Sequence, residues 1–223
     1  MKTVMITGAD RGVGFALCAC FLDHGWRVFA GRYMPDWPEL DALREKFPEQ
    51  LHTIPLDVGD TASVRAAAGM VRQTTDHIDL LVNCAGISHG DERTVFNVNV
   101  TGALRTVECF LPLMQTGMQR IAFFSSECGA ISVSHRDGGA YPVSKTALNM
   151  TVRRMFRTLR PKGFTFRLYH PGWVRSYMSG RKSTVGNFEP EEAAAAAYGQ
   201  FVSDRDAEDV LVMTDISGEM WPW

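Results

Sequence analysis

The sequence predicts a single α/β domain over residues 1–223, a doubly wound parallel sheet of seven strands with helices on both faces. Three patterns carry that prediction. Strand-length apolar runs recur without in/out alternation, as strands covered on both faces require. Amphipathic or alanine-rich stretches of helical length separate them, so successive strands are joined by right-handed helical crossovers. A glycine cluster falls between the first strand and the first helix.

The elements follow in order. Residues 2–7 contain Val4-Met5-Ile6, a buried strand. They begin like a secretory leader, but Gly8, Asp10, Arg11 and Gly12 interrupt them before an adequate apolar region forms, so a cytoplasmic protein is expected. Residues 14–24 form a helix with Phe15-Ala16-Leu17 and Phe21-Leu22 on its apolar face. Further strands are expected at 27–31, 51–56, 80–83, 120–125, 165–170 and 210–213. Helices are expected at 37–47, 61–75, 98–114, 141–160 and 190–203, the last rich in alanine. No repeat or linker divides the chain.

Composition excludes several functions. Apolar residues make up 45% and charged residues 22% of the chain, ordinary values for a globular domain. A formal net charge of −2 gives no electrostatic reason to capture nucleic acid or an anionic membrane. No apolar run approaches the roughly 18 residues of a membrane span. The five cysteines lack paired spacing and read as free core thiols. The six histidines form no ligand pattern, so no metal site is expected.

Gly8, Gly12 and Gly14 occupy the strand-to-helix turn. Glycine there tolerates positive φ and lets the backbone approach a pyrophosphate resting on the helix N-terminus. Asp10, Arg11 and Val13 lie in the same loop. A tight turn without a ligand is the alternative. Dinucleotide folds usually end the second strand on an acid that binds the ribose hydroxyls. Here Gly31 stands near that position and Arg32 follows it. Arg11 and Arg32 suit a 2′-phosphate, so NADP(H) is favoured over NAD(H). A solvated loop charge is the alternative for Arg32.

Tyr141 and Lys145 are one helical turn apart and share a face. Pro142 fits the first turn of that helix. An isolated phenol, with a pKa of about 10, is a poor acid–base catalyst at neutral pH, but a neighbouring ammonium stabilises the phenolate. Asn83-Cys84-Ala85-Gly86 ends the fourth strand, Ser125-Ser126 the fifth, and His170-Pro171-Gly172-Trp173-Val174-Arg175 follows the sixth, all at the ligand-binding edge of such a sheet. Asn99 lies in the intervening helix.

These motifs together resemble the short-chain dehydrogenase/reductase family, and the match runs through the whole chain. Its TGxxxGxG pattern falls on Gly8, Gly12 and Gly14, its NNAG element on Asn83 to Gly86, and YxxxK on Tyr141 and Lys145. The Gly138-Gly139 lead into Tyr141, the segment from His170 to Arg175 and the closing residues 215–223 are similar to the C-factor-like carbonyl reductases.

The resemblance implies a Rossmann-type fold and a catalytic tetrad of Asn99, Ser126, Tyr141 and Lys145. Asp57 and Val58 would meet the adenine; Asn83, Ala85 and Gly86 would line the cofactor. Pro171, Gly172, Trp173 and Val174 would contact the nicotinamide amide, and Lys145 its ribose. Ser126, Tyr141, Trp173, Tyr177 and Met178 are the candidate substrate residues, with a lid over about 173–189. A carbonyl or alcohol substrate is implied, and a homodimer or homotetramer is allowed.

Three features depart from the family pattern. Ser126 lies 15 residues before Tyr141, so Ser125 is a second candidate for the hydroxyl. Cys84 replaces an asparagine. The segment from Gly86 to Asn99 is short, which predicts a trimmed helix. Two rival readings are a non-catalytic dinucleotide sensor and an isomerase or dehydratase on the same scaffold.

Overall fold

The computed structural model describes residues 1–133, 139–178 and 180–223. Gly138, in the lead into Tyr141, and Ser179, in the expected lid, lie outside the described residues. Eight strands form one sheet in the order β3-β2-β1-β4-β5-β6-β7-β8. They are β1 (Thr3–Ile6), β2 (Arg27–Arg32), β3 (Leu51–Pro55), β4 (Leu80–Asn83), β5 (Arg120–Phe124), β6 (Thr165–Tyr169), β7 (Met213–Thr214) and β8 (Met220–Trp221). The first seven run parallel and β8 is antiparallel to β7, with Met213 opposite Trp221.

The helices are α1 (Gly12–Asp23), α2 (Glu39–Lys46), α3 (Thr61–Thr74), α4 (Glu92–Phe96), α5 (Ala103–Phe110), α6 (Ala140–Leu159) and α7 (Pro190–Val202). Three start on readable caps, α4 among them. The Asp60 carboxylate accepts from the N–H groups of Ala62 and Ser63 at α3, and Glu189 with Glu192 closes a reciprocal capping box at α7.

Alternate residues of the strands enter two cores, one on each face of the sheet. Val4, Ile6, Val28, Ala30, Val82 and Phe124 meet Leu17 and Phe21 of α1 and Ala194, Ala197 and Phe201 of α7. Met5, Phe29, Leu81, Ile121 and Phe123 meet Val64, Val71, Val107, Phe110, Leu148 and Val152 on the other face. Strands buried on both sides need apolar side chains at every position, which is why the runs show no alternation.

Two expectations change. The sheet has eight strands rather than seven. The strand expected at 210–213 contracts to Met213–Thr214, and Met220–Trp221 folds back upon it. The turn between them is built by the Asp215 carboxylate, which accepts from the N–H groups of Ser217 and Glu219. Two-residue strands carry no periodicity, so the eighth leaves no trace in the sequence. The helix expected at 98–114 is divided. Asp91 caps α4 by accepting from the Thr94 N–H, a π-helical segment covers Asn97–Gly102, and α5 ends in a 3₁₀ turn at Leu111–Leu113. Trp221 and Trp223 pack partly buried against the second core.

Candidate active site

The strand order reverses between β1 and β4, so the crevice at their carboxyl ends is where such sheets take ligands. Gly8 and Gly12 have φ of 65° and 59°. A Cβ on Gly14 would lie 2.2 Å from the Gly8 carbonyl oxygen, and one on Gly8 2.7 Å from the Cα of Ala85. Loop, helix and β4 end therefore meet backbone to backbone. Thr7 Oγ1 accepts from the N–H groups of Cys84 and Ala85, at 3.1 and 3.0 Å, and fixes that meeting. The N-terminus of α1 has neither a side-chain cap nor an acid in its first turn. Its N–H groups form a cradle for an anion, as a dinucleotide pyrophosphate requires.

The buried Asp10 carboxylate accepts from the N–H groups of Tyr33 and Met34, at 3.1 and 2.8 Å, tying the glycine loop to the end of β2. Val13 packs half-buried against the first core. Arg32 is largely engaged: it meets Asp41 at 2.8 Å and donates also to the carbonyls of Met34, Pro35 and Trp37. Arg11 instead lies over the rings of Trp37 and Tyr177, 4.9 and 5.2 Å from their centroids. Asp57 accepts from the Gly59 N–H at 2.7 Å, and the Val58 carbonyl accepts from Arg105.

A second group lies beyond β4 and β5. Asn99 sits in the π-helical segment, a distortion often found at functional sites. Its Oδ1 accepts from the Ile87 N–H at 2.9 Å, while its Nδ2 donates to the Ile87 carbonyl and to Ser144 of α6. Lys145 is buried; its Nζ donates to the Phe124 carbonyl at 2.8 Å and lies 5.7 Å from the Tyr141 ring centroid. A Cβ on Gly86 would stand 3.5 Å from Asn99 Oδ1 and 3.6 Å from Lys145 Nζ, so the bare glycine keeps open the space between them. Burial lowers the Lys145 pKa to about 8 and pushes the neighbouring Cys84 thiol up to about 12, so that thiol stays protonated.

The two serines separate cleanly. Ser125 donates to Asn149 Oδ1 at 2.5 Å inside the core. Ser126 Oγ accepts from the Cys128 N–H at 3.2 Å, which leaves its own proton free to be donated. His170 Nδ1 accepts from the Glu127 N–H at 3.2 Å and steadies the same turn, and burial favours the neutral ring that this requires. Asn83 is buried, its Nδ2 directed at the Ala122 carbonyl.

Past β6, Pro171 is half-buried and Gly172 takes φ of 76° beneath the Phe188 ring. Trp173 is 50% exposed, Val174 bridges Phe188, and Arg175 pairs with Glu189. Ser88 donates to the Met178 carbonyl at 3.1 Å, so the segment after Trp173 touches the loop after β4.

Sequence reasoning missed Trp37, Ser144 and Gly129. A Cβ on Gly129 would lie 2.8 Å from the Lys145 carbonyl carbon, so this glycine sets how closely α6 approaches β5. Its only signal was a glycine after the paired serines; Trp37 and Ser144 gave none.

Among the described residues, no helix is long and apolar enough to cross a membrane. The family model for short chain dehydrogenases matches residues 2–185. The chain is 40% identical over 162 residues to the C-signal protein of Myxococcus xanthus, covering 67% of this chain and 95% of that one. It is 31% identical over 235 residues to an uncharacterized oxidoreductase of Schizosaccharomyces pombe, covering 99% and 92%. Among solved structures, the NADPH-bound carbonyl reductase from chicken fatty liver superposes with a TM-score of 0.89 at 28% identity, covering 100% of this chain and 99% of that one. Motifs, fold and relatives agree: the chain belongs to the short-chain dehydrogenase family and is an NAD(P)-dependent oxidoreductase.

Proposed function

We propose that the protein transfers hydride between NADP(H) and a small or medium carbonyl or alcohol substrate, with Tyr141 as the general acid and base. The observation that carries this reading is Lys145, buried beside the Tyr141 ring with no carboxylate partner among the described residues. An uncompensated cation there favours the phenolate and makes the hydroxyl proton transferable near neutral pH.

The bound nicotinamide supplies the hydride chemistry. In reduction Tyr141 gives its hydroxyl proton to the substrate oxygen, and Ser126 donates to the same oxygen as negative charge develops on it. Lys145 holds the nicotinamide ribose in the space that Gly86 leaves open. Asn99 acts through position: by bonding Ile87 and Ser144 it keeps the β4 loop and α6 in one register. Gly8, Gly12 and Gly14 receive the pyrophosphate, Asp57 and Val58 the adenine, and Asn83 and Ala85 wall the cleft. Pro171 to Val174 meet the nicotinamide amide, and Trp173 and Met178 offer the substrate an apolar wall.

The preference for NADP(H) rests on Arg11. Arg32 has its charge offset by Asp41 and most of its donors engaged. The Arg11 guanidinium meets two ring faces, and no acceptor engages its N–H groups among the described residues. The NADPH-bound carbonyl reductase from chicken supports a cofactor of this kind.

The test combines calorimetric titration with NADPH and NADH and turnover of a carbonyl panel by Tyr141→Phe. The expected outcome is tighter NADPH binding, and a variant that keeps NADPH affinity while losing turnover by at least ~100-fold. Unchanged turnover would remove Tyr141 from the chemistry. Binding of neither cofactor would overturn the NADP(H) reading; tight binding with no carbonyl turned over by wild type would favour the sensor reading.

A further inference from the structure

Three residues far apart in the sequence meet above the glycine loop: Arg11 from that loop, Trp37 from the connection after β2, and Tyr177 from the segment after β6. The Arg11 guanidinium lies 4.9 Å from the Trp37 ring centroid and 5.2 Å from that of Tyr177. The two rings are themselves 5.2 Å apart in an edge-to-face arrangement, 78° between planes. The segments stay within van der Waals reach at the base as well, where a Cβ on Gly12 would lie 3.4 Å from the Ser176 side chain and 3.9 Å from the Tyr177 ring.

We infer that Trp37 and Tyr177 are positioning residues for cofactor discrimination: together they hold the Arg11 guanidinium as a preset grip for a 2′-phosphate. This rests on the proposed NADP(H) preference and goes a step further, assigning it to residues that need not touch the cofactor. An arginine side chain free in solution surrenders rotamer freedom when it grips a phosphate. Two ring faces that already hold the guanidinium remove part of that cost, and cation–π contact involves the faces of the group, leaving its N–H edge to bond an anion.

Arg32 shows the contrasting arrangement. A carboxylate and three carbonyls hold it through its N–H edge, the edge a phosphate needs. The indole N–H of Trp37 adds a second observation, since it is buried without an acceptor in the structure. A buried donor left unpaired is unfavourable, and an anion held at Arg11 is the kind of acceptor that would relieve it. Tyr177 also packs the segment after β6 against Arg11 of the glycine loop and Trp37.

The experiment is calorimetric affinity for NADPH and NADH in wild type, Trp37→Leu, Tyr177→Leu, Tyr177→Phe and Arg11→Ala. Each Leu variant is expected to weaken NADPH binding about three- to fivefold, the worth of one partly exposed cation–π contact, with NADH affinity unchanged. Tyr177→Phe, which keeps the ring face, should restore the wild-type ratio. A merely structural role would weaken both cofactors alike and leave their ratio fixed.

If both Leu variants keep the ratio while Arg11→Ala collapses it, the inference is overturned and the NADP(H) reading stands. If Arg11→Ala also keeps the ratio, both fall. Binding of 2′,5′-ADP and 5′-AMP gives the same comparison without the nicotinamide, and the same pattern is expected of that pair.

Discussion

Lys145 is a cation placed where water cannot solvate it, and its cost is measurable apart from catalysis. Burial lowers its pKa from an ordinary 10.5 to about 8. Below pH 8 the folded and unfolded chains both carry the proton, and the fold bears the full penalty of the buried charge. Between about 8 and 10.5 the unfolded chain binds more protons than the folded one, so stability rises with pH through this window. The penalty relieved is on the order of 3 kcal/mol. Urea denaturation of the cofactor-free protein at pH 7 and pH 9.5 should therefore show wild type gaining relative to Lys145→Met, which should be the more stable at pH 7. Parallel pH slopes in the two proteins would contradict the burial argument. The sequence singled out Tyr141 and Lys145 by residue type and helical spacing, and Asn99 and Ser126 through the family resemblance. It ranked Ser126 above Ser125 without a contact to separate them; in the structure Ser125 is turned to Asn149 and Ser126 to the Cys128 N–H. It also displayed Arg11 and Arg32 as alike, although one is held by ring faces and the other by a carboxylate.

The elements carry these residues, and helix α6 carries two of the proposed tetrad. Its distance from β5 is set at Gly129, where the 3₁₀ turn after Ser126 meets the Lys145 backbone. A Cβ there would lie 2.8 and 2.9 Å from the Lys145 carbonyl carbon and oxygen, which belong to helix backbone and cannot swing aside. Gly129→Ala must therefore move α6 or the turn. The expected loss of stability is about 1–3 kcal/mol, as for other overpacked sites, accompanied by a fall in kcat because Tyr141 and Lys145 shift relative to Ser126. Thermal unfolding and kcat on one carbonyl check this together, and a variant matching wild type in both would refute it. Seven parallel strands were readable because strands buried on both faces are mostly apolar, the buried Arg120 and Arg167 being exceptions within otherwise apolar runs. The division of the helix before β5 was not readable, because the valines of Asn97–Gly102 extend the apolar run of α5 and a π-helical turn has no residue signature of its own. The cap at Asp91 was a usable signal, overshadowed by the stronger apolar run that follows.

On the scale of the whole molecule, the sheet separates its chemistry from its anchorage. The candidate active site lies at the carboxyl ends of the strands. β5 begins at the other end with Arg120, almost fully buried, and β6 carries the equally buried Arg167. These arginines join two central strands to the last turn of α7 and the residue after it: Arg167 donates to the carbonyls of Gln200 and Ser203, and Arg120 to those of Phe201 and Ser203. One carboxylate offsets much of their charge, Glu208, which pairs with Arg167 at 2.5 Å and lies 3.5 Å from Arg120. Burial raises the Glu208 pKa, but the hydrogen bond and charge of Arg167, the Arg205 N–H and the charge of Arg120 together outweigh this and the net shift is downward. A carboxylate with a lowered folded-state pKa contributes stability above its unfolded value, and that contribution is lost as pH falls through the folded one. Glu208→Gln keeps the volume and removes the charge, leaving two buried guanidiniums with, among the described residues, the exposed Asp204 as their counter-ion. The expected cost at pH 7 is about 3 kcal/mol, toward the low end for a broken buried pair because Glu208 keeps some exposure. The gap between variant and wild type should narrow as pH falls below the ordinary carboxylate range, where both side chains are neutral. Cofactor affinity and kcat, measured where both proteins are fully folded, should not change, because the side-chain bonds of Arg120, Arg167 and Glu208 run to one another, to Thr165 and Phe166 and to residues 200–205, none of them in the proposed site. A stability gap that persists unchanged into acid would show that Glu208 acts through shape rather than charge; a loss of kcat in the folded variant would show that the two ends of the sheet are coupled.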